Sequence, residues 1–513
     1  MPIFPPSRHA ALLVTGTLLG LLVVLQGQEP SVARLVTAEV PYAAVDRGMR
    51  PADSPVEPRH GINREASSRG RRFLADSVIV KFRDSASTNA RATALSGVHA
   101  SASLTPSWAD FSIVTLTAGE NPETAATTLA ARADVEYAQP RYRVRPLFVP
   151  NDPLYARQWN FTALDMERAW DLNAGASSSV IVAVLDTGIA YRNASVTFVA
   201  DRFVMPGFGS FPALGRVTIP FAAAPELGPA GRFVAPVDMI WGDNSPLDLD
   251  GHGTHVAGTI GQLTNNAVGT AGMAYNVRLM PVKVIDSDWD AVFGSPYEAT
   301  DDVVARGIRY AADNGAKVIN LSIGRDGGPA PAIRSAIEYA VQRGAFVVAA
   351  GGNEFEDGNP VNRLAEFARE INGMVAVGAI GPDRTRAFYS NVAPYIELVA
   401  PGGNSRSGGS NTGILQQTYD PDQVDRFARG PSRYGPPRFD IFAYDSYQGT
   451  SMATPHVSGF AALLIQQGIS NPAAIEAVME RYATDLGTPG RDNEYGYGLI
   501  NPRASLRGMG LIR

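Results

Sequence analysis

Val180-Ile181-Val182-Ala183-Val184-Leu185-Asp186-Thr187-Gly188 is an unbroken apolar run that stops at a carboxylate and a glycine turn. A strand with one wet face alternates apolar and polar residues, whereas an unbroken β-branched run marks a strand covered on both faces. Further short apolar runs lie at 277–284, 317–323, 345–350 and 374–379, and helical stretches at 300–314 and 331–343 separate some of them. This alternation predicts an α/β fold, a three-layer sandwich around a mostly parallel sheet with right-handed crossovers. Segments 191–237 and 402–440 break the rhythm with Gly, Pro and aromatic residues, and read as long surface insertions. No internal repeat is present.

Working outward, the sheet domain is expected over 151–513. Before it, residues 76–147 read as a small α+β domain. Its strand candidates are 78–82, 111–116 and 135–142, and Asn121 is placed to cap a helix with Pro122 at its first position. A unit of about 70 residues is marginal alone and gains from docking on a larger partner. Residues 28–75 show no periodicity and read as a flexible linker, with the basic run Arg69-Gly70-Arg71-Arg72 near its end. In 1–27, Arg8 and His9 precede the uncharged run 10–25, which is short for a membrane span and suits a signal peptide. A secreted protein follows from that reading; a membrane anchor left uncleaved is the alternative.

Composition narrows the chemistry. The chain of 513 residues has no cysteine, which excludes a disulfide framework, a zinc–thiolate centre and a cysteine nucleophile. A net charge of −6 gives no reason to expect nucleic acid or an anionic membrane as partner.

Four segments carry candidate chemistry. Asp186 sits at the C-terminal end of a buried strand, where functional groups gather in open α/β sheets. Gly251-His252-Gly253-Thr254-His255-Val256-Ala257-Gly258 places an imidazole between glycines at a helix start, where the helix dipole resists early protonation and suits a base. The two histidines of this segment allow a zinc reading, but no carboxylate stands at metalloprotease spacing. Gly449-Thr450-Ser451-Met452-Ala453-Thr454-Pro455-His456-Val457-Ser458-Gly459 puts a hydroxyl at the start of an apolar helix, beside backbone donors. Alone, such a Ser is an N-cap. Ala350-Gly351-Gly352-Asn353-Glu354 follows a buried strand and offers an amide N–H for an oxyanion, although by itself Gly-Gly-Asn signals only a turn.

Taken together, and in the order Asp, His, Ser, these segments resemble the subtilisin family of serine peptidases. The similarity extends over about 151–504 and includes Tyr495-Gly496-Tyr497-Gly498-Leu499-Ile500-Asn501. It implies an endopeptidase with Asp186 as orienting carboxylate, His252 as general base, Ser451 as nucleophile and Asn353 as oxyanion donor. It also implies that Ser322, Ile323 and Gly324 pair with an extended polypeptide substrate, and that Ala350, Gly351 and Gly352 form the opposite wall of the S1 pocket with Glu354 near its base. Residues 76–147 resemble the family's inhibitory propeptide, a partner in cis that Ser451 would cut away between Arg145 and Asp152, with Leu147 to Val149 the favoured place. A monomer without a catalytic metal is expected.

The resemblance further implies structural calcium. Asp152 is one expected ligand; Asn266, with the carbonyls of Leu263, Val268 and Thr270, is another. A carboxylate usually follows Asp-Thr-Gly in that site, and the matching position here is Ser195. Asp238 and Asp243 resemble a second site, and hard oxygen donors suit calcium. Solvated loop acids are the alternative reading of the same residues.

Overall fold

Antiparallel pairing opens the described chain. β1 (Phe73–Phe82), β2 (Ala100–Leu104), β3 (Ser112–Leu116) and β4 (Val135–Tyr142) form a sheet in the order β2-β3-β1-β4, with β1 and β2 both antiparallel to β3. Val78, Val80, Val114 and Leu116 share a small core with Ala125, Ala126 and Leu129 of helix Pro122–Ala130. Asn121 caps that helix as expected, its Oδ1 accepting from Glu123 N at 2.8 Å and Thr124 N at 3.3 Å. Helix Thr88–Ser96 and β2 were not expected. The helix buries only Ala94, and β2, Ala-Ser-Ala-Ser-Leu, is short and mostly exposed, so neither carries an apolar period. The computed structural model describes residues 73–142, 148–205, 209–407, 411–427, 430–431 and 434–508. The expected signal peptide, and the linker up to residue 72, lie outside these residues. Two compact units meet at the Arg141–Tyr142 peptide.

In the second unit β5 (Ile181–Asp186) comes first, and the first insertion follows. It folds as two hairpins: β6 (Ala194–Ala200) with β9 (Gly215–Phe221), and β7 (Phe203–Met205) with β8 (Gly209–Phe211). The main sheet resumes with β10 (Val237–Asp238), β11 (Arg278–Lys283), β12 (Val318–Leu321), β13 (Phe346–Ala350), β14 (Met374–Ile380) and β15 (Ile396–Pro401). Its order is β10-β11-β5-β12-β13-β14-β15 and every neighbouring pair is parallel. A parallel sheet must be covered on both faces because its crossovers lay helices on each. Helices His252–Gly261 and Thr450–Gln466 pack on it from one layer, and Asp301–Asp313 and Pro331–Gln342 from the other. The expected three-layer α/β sandwich is therefore the observed fold.

The insertions are less superficial than expected. β16 (Ile414–Tyr419) is buried at every position and pairs with β17 (Phe442–Tyr447). Phe203 and Phe211 of the first insertion stack at 5.0 Å and meet Phe427 and Tyr434 of the second edge-on at 5.1–5.9 Å. The aromatic residues that marked these segments as irregular thus form a joint apolar cluster between them. Among the described residues no helix is long and apolar enough to cross a membrane.

Candidate active site

Sheet order places the site. β5, β12 and β13 are neighbours, so their C-terminal ends lie side by side. Asp186 ends β5, Ser322 to Gly324 follow β12, and Gly351 to Glu354 follow β13. This is the edge of an open parallel sheet at which ligand-binding groups collect.

His252 Nδ1 lies 2.7 Å from Asp186 Oδ1. Asp186 is almost wholly buried, and the same oxygen accepts Thr187 N–H at 2.8 Å. The imidazole retains 28% exposure, so one edge of the ring faces the open side of the site. Close packing sets this geometry. A side chain at Gly253 would collide with the Gly188 carbonyl and sit 3.1 Å from Asp186 Cβ, and Gly251 adopts φ 114°. Asp248, fully buried, ties the two segments together. Its carboxylate accepts from Thr187 Oγ1 at 2.9 Å, Gly251 N at 2.9 Å and Thr254 Oγ1 at 2.6 Å.

Burial works against a charged His252, but the charge and hydrogen bond of Asp186, reinforced by Asp250 and Asp248, outweigh it and raise the imidazole to about 9. His255 is opposite in every respect. It is fully buried, its Nε2 faces the carbonyls of Ile414 and Asp445 at 3.0 and 3.2 Å, and its ring stacks on Tyr447 at 4.3 Å. Burial pushes it down to about 3. A neutral imidazole donating from Nε2 to two carbonyls is a packing group, and this geometry removes the basis for a His252–His255 zinc pair.

Ser451 is the second residue of helix Thr450–Gln466, which starts one residue earlier than expected with Gly449 as its cap. Its Oγ donates to the Ser322 carbonyl at 3.2 Å, and Ser322 Oγ donates back to the Ser451 carbonyl at 2.8 Å. Among the described residues no hydrogen bond joins Ser451 Oγ to His252; such nucleophile–base contacts commonly form or tighten only with substrate. Asn353 is exposed, and its Oδ1 accepts both Thr450 N at 2.8 Å and Thr450 Oγ1 at 2.9 Å. With the oxygen held there, the amide Nδ2 points away from Thr450 and is left to donate.

The expected subsite residues flank this group. Ser322 and Ile323 are nearly buried, while Gly324 is exposed with open space around its Cα. Ala350, Gly351 and Gly352 are buried, and Glu354 Oε2 accepts the Asn353 N–H at 2.7 Å. Sequence reading missed Thr450 as the group that orients Asn353, and missed Asp248. Both stand within a few residues of a recognised motif, but their role lies in long-range contacts.

Of the expected calcium ligands, Asp152 is buried and accepts from Asn265 N at 2.7 Å and Asn266 N at 3.3 Å. Asn266 is exposed, and its Oδ1 accepts Val268 N. Ser195 lies exposed on β6, away from this loop, and the carboxylate that reaches the loop is Glu226. Glu226 is buried and accepts from Gln262 Nε2, Thr270 N and Gln417 Nε2, with Tyr444 in close contact. Burial raises it, and the charge of Asp152 adds to the shift. Neither Asp152 nor Glu226 has an ion-pair partner among the described residues, but both oxygens of Glu226 are filled by two donors each, whereas each oxygen of Asp152 accepts only one, so of the two only Asp152 keeps lone pairs that a hard cation could take. Asp238 and Asp243 pair through their backbones, but their carboxylates serve different turns: Asp238 accepts from Ile240 and Trp241, and Asp243 from Ser245.

A sequence profile of the subtilase family matches residues 177–498, and a profile of the fervidolysin N-terminal prodomain matches 61–141. A thermophilic serine proteinase of Bacillus sp. (strain AK1) is 32% identical over 430 residues, covering 84% of this chain and 86% of the relative. Thermitase of Thermoactinomyces vulgaris is 29% identical over 344 residues, covering 67% and 94%. A solved protease structure from Pseudoalteromonas arctica superposes with a TM-score of 0.51 at 28% identity, over 70% of this chain and 99% of that one.

Proposed function

Because the chain belongs to the subtilase family of serine endopeptidases and carries an N-terminal prodomain, we propose that Asp186, His252 and Ser451 are its catalytic triad and that it matures by cutting off its own propeptide. The observation that carries the reading is the 2.7 Å contact between His252 Nδ1 and Asp186 Oδ1 at the carboxyl edge of the sheet, on the same edge as Ser451 and Asn353.

In this mechanism Ser451 Oγ attacks a peptide carbonyl while His252 Nε2 takes its proton. Asp186 fixes the ring with Nδ1 protonated and stabilises the imidazolium that forms. The developing oxyanion is met by Asn353 Nδ2 and the Ser451 backbone N–H, donors that bind the tetrahedral state better than the planar carbonyl. His252 then protonates the leaving amine, and water hydrolyses the acyl-enzyme by the reverse sequence. The substrate is an extended polypeptide that adds a strand alongside Ser322, Ile323 and Gly324, with Ala350 to Gly352 and Glu354 bounding the S1 side chain.

The propeptide reading assigns 76–147 as a self-inhibitor in cis. The bond to be cut lies between Arg145 and Asp152, in the stretch Leu147 to Val149; of these, Leu147 is outside the described residues. The charge-free N-terminal run makes the enzyme a secreted one. Calcium, where bound, would be held by Asp152 with carbonyls of the loop around Asn266.

Replacing Ser451 by Ala tests the reading. The variant is expected to stay as an uncut precursor and to leave casein intact, and phenylmethanesulfonyl fluoride is expected to inactivate the parent. Casein cleavage by purified Ser451→Ala protein, or resistance of the parent to the sulfonyl fluoride, refutes it.

A further inference from the structure

Far along the sheet from the triad, three glutamates converge. Glu397 lies on β15, and Glu476 and Glu480 are one turn apart on helix Pro472–Tyr482. One carboxylate oxygen from each lies within 4.8 Å of the other two. Glu397 is 6% exposed, Glu476 is 8% exposed, and Glu480 is half-buried at the rim. The neighbours satisfy this cluster only in part. Glu476 accepts the Gly373 N–H, but Glu397 Oε2 is buried and has no hydrogen-bond donor at all. Among the described residues Arg491 contributes the positive charge facing Glu397. Its Nη2 is committed to the carbonyls of Pro394 and Ile396, and its guanidinium lies over the Tyr497 ring.

We propose that Glu397, Glu476 and Glu480 form a binding site for one hard divalent cation of the calcium or magnesium class.

Three arguments lead there. A buried carboxylate oxygen without a donor costs free energy that a cation recovers, and here that oxygen belongs to a group of three converging carboxyl groups. Oxygen ligands sit about 2.3–2.6 Å from calcium, so two ligands on one ion are at most about 5 Å apart, and the observed spacing falls within that limit. The half-buried Glu480 gives the ion a route from solvent. The ion would fasten the last strand of the sheet to the helix that follows the serine helix.

The test uses the full chain carrying Ser451→Ala, so that no self-digestion occurs. Equilibrium dialysis against calcium, and separately against magnesium, counts ions bound per chain. The parent is expected to bind one more ion of at least one kind than the Glu397→Gln/Glu476→Gln double variant. Ions held elsewhere, at Asp152, contribute equally to both proteins and cancel. Glu480→Gln, at the exposed rim, is expected to weaken that last ion at least tenfold, and it decides the matter if the double variant fails to fold. Equal stoichiometry for both metals overturns the proposal, as does an unchanged affinity in Glu480→Gln.

Discussion

Lys283 Nζ, with no solvent exposure, donates at 2.8 Å to the carbonyl of Thr187, the residue that follows Asp186. The same ammonium reaches Leu247 O at 3.2 Å and Asp290 Oδ2 at 2.8 Å, and Asp290 is equally buried. Asp290 is itself satisfied by Ser287 and by Trp241 Nε1. Removing one member of such a pair leaves a buried charge without its partner. Lys283→Met is therefore expected to destabilise the protein by about 3–5 kcal/mol, whereas a Lys283→Met/Asp290→Asn double variant loses less than the two single changes summed. Urea unfolding in the Ser451→Ala background measures both. A double variant no better than the sum would show that the two charges act independently.

In the proposed mechanism His252 sets the acid limb of the rate profile. The general base must be neutral, so kcat/KM rises as pH passes upward through its pKa, which the carboxylates hold at about 9 against an ordinary 6.5. The expected limb lies well above 6.5. Asp186→Asn is expected to move it down and to cut kcat by several orders of magnitude, because the ring then loses its tautomer control. The same shift has a stability consequence. The native state holds this proton more tightly than the unfolded chain, so the stabilisation is complete below pH 6.5 and is lost as pH rises through about 9. A pH series of peptide hydrolysis with the mature enzyme checks the first part; an acid limb near 6 would contradict it.

Asn353 is held by Thr450 through two bonds to one oxygen. Asn353→Ala should lower kcat by about 10²–10³ with little change in KM, the loss known for the oxyanion asparagine of subtilisin. Thr450→Val keeps the backbone N–H bond and loses only the hydroxyl, so a smaller fall, about tenfold, is expected. A change confined to KM in either variant would place these residues in ground-state binding instead.

The triad motifs were legible because their chemistry demands fixed residue types beside glycines, and the strand before Asp186 was legible because it is apolar on both faces. β15 escaped notice because Glu397 interrupts its apolar run, and that same residue anchors the glutamate cluster. Glu226 escaped because the chain order suggested Ser195, whereas the first insertion forms a β6–β9 hairpin there and a later turn delivers the carboxylate. Thr450, Asp248 and Lys283 act through partners distant in sequence, which no local pattern encodes. The insertions were marked by their aromatic content, but only the packed rings show that Phe203 and Phe211 meet Phe427 and Tyr434.

Gly253 offers the sharpest steric test of the triad geometry. Its Cα faces the Gly188 carbonyl so closely that a methyl group has no room, and the next atoms are Asp186 Cβ at 3.1 Å and Oδ1 at 3.2 Å. All of these are backbone or short buried side-chain atoms, so the clash cannot be relieved by swinging a flexible chain end. The histidine helix must instead shift away from β5, lengthening the contact between His252 and Asp186. A displacement of about 1 Å in a catalytic group is worth about 10²-fold in rate. Gly253→Ala is thus expected to lower kcat by about that factor, and to weaken Asp186's hold on the imidazole so that the acid limb moves down as well. The segment Ser322 to Gly324, proposed to pair with substrate, follows a different strand, β12, so KM should hold. Equal kcat in Gly253→Ala and parent would mean that the helix is not fixed by this contact.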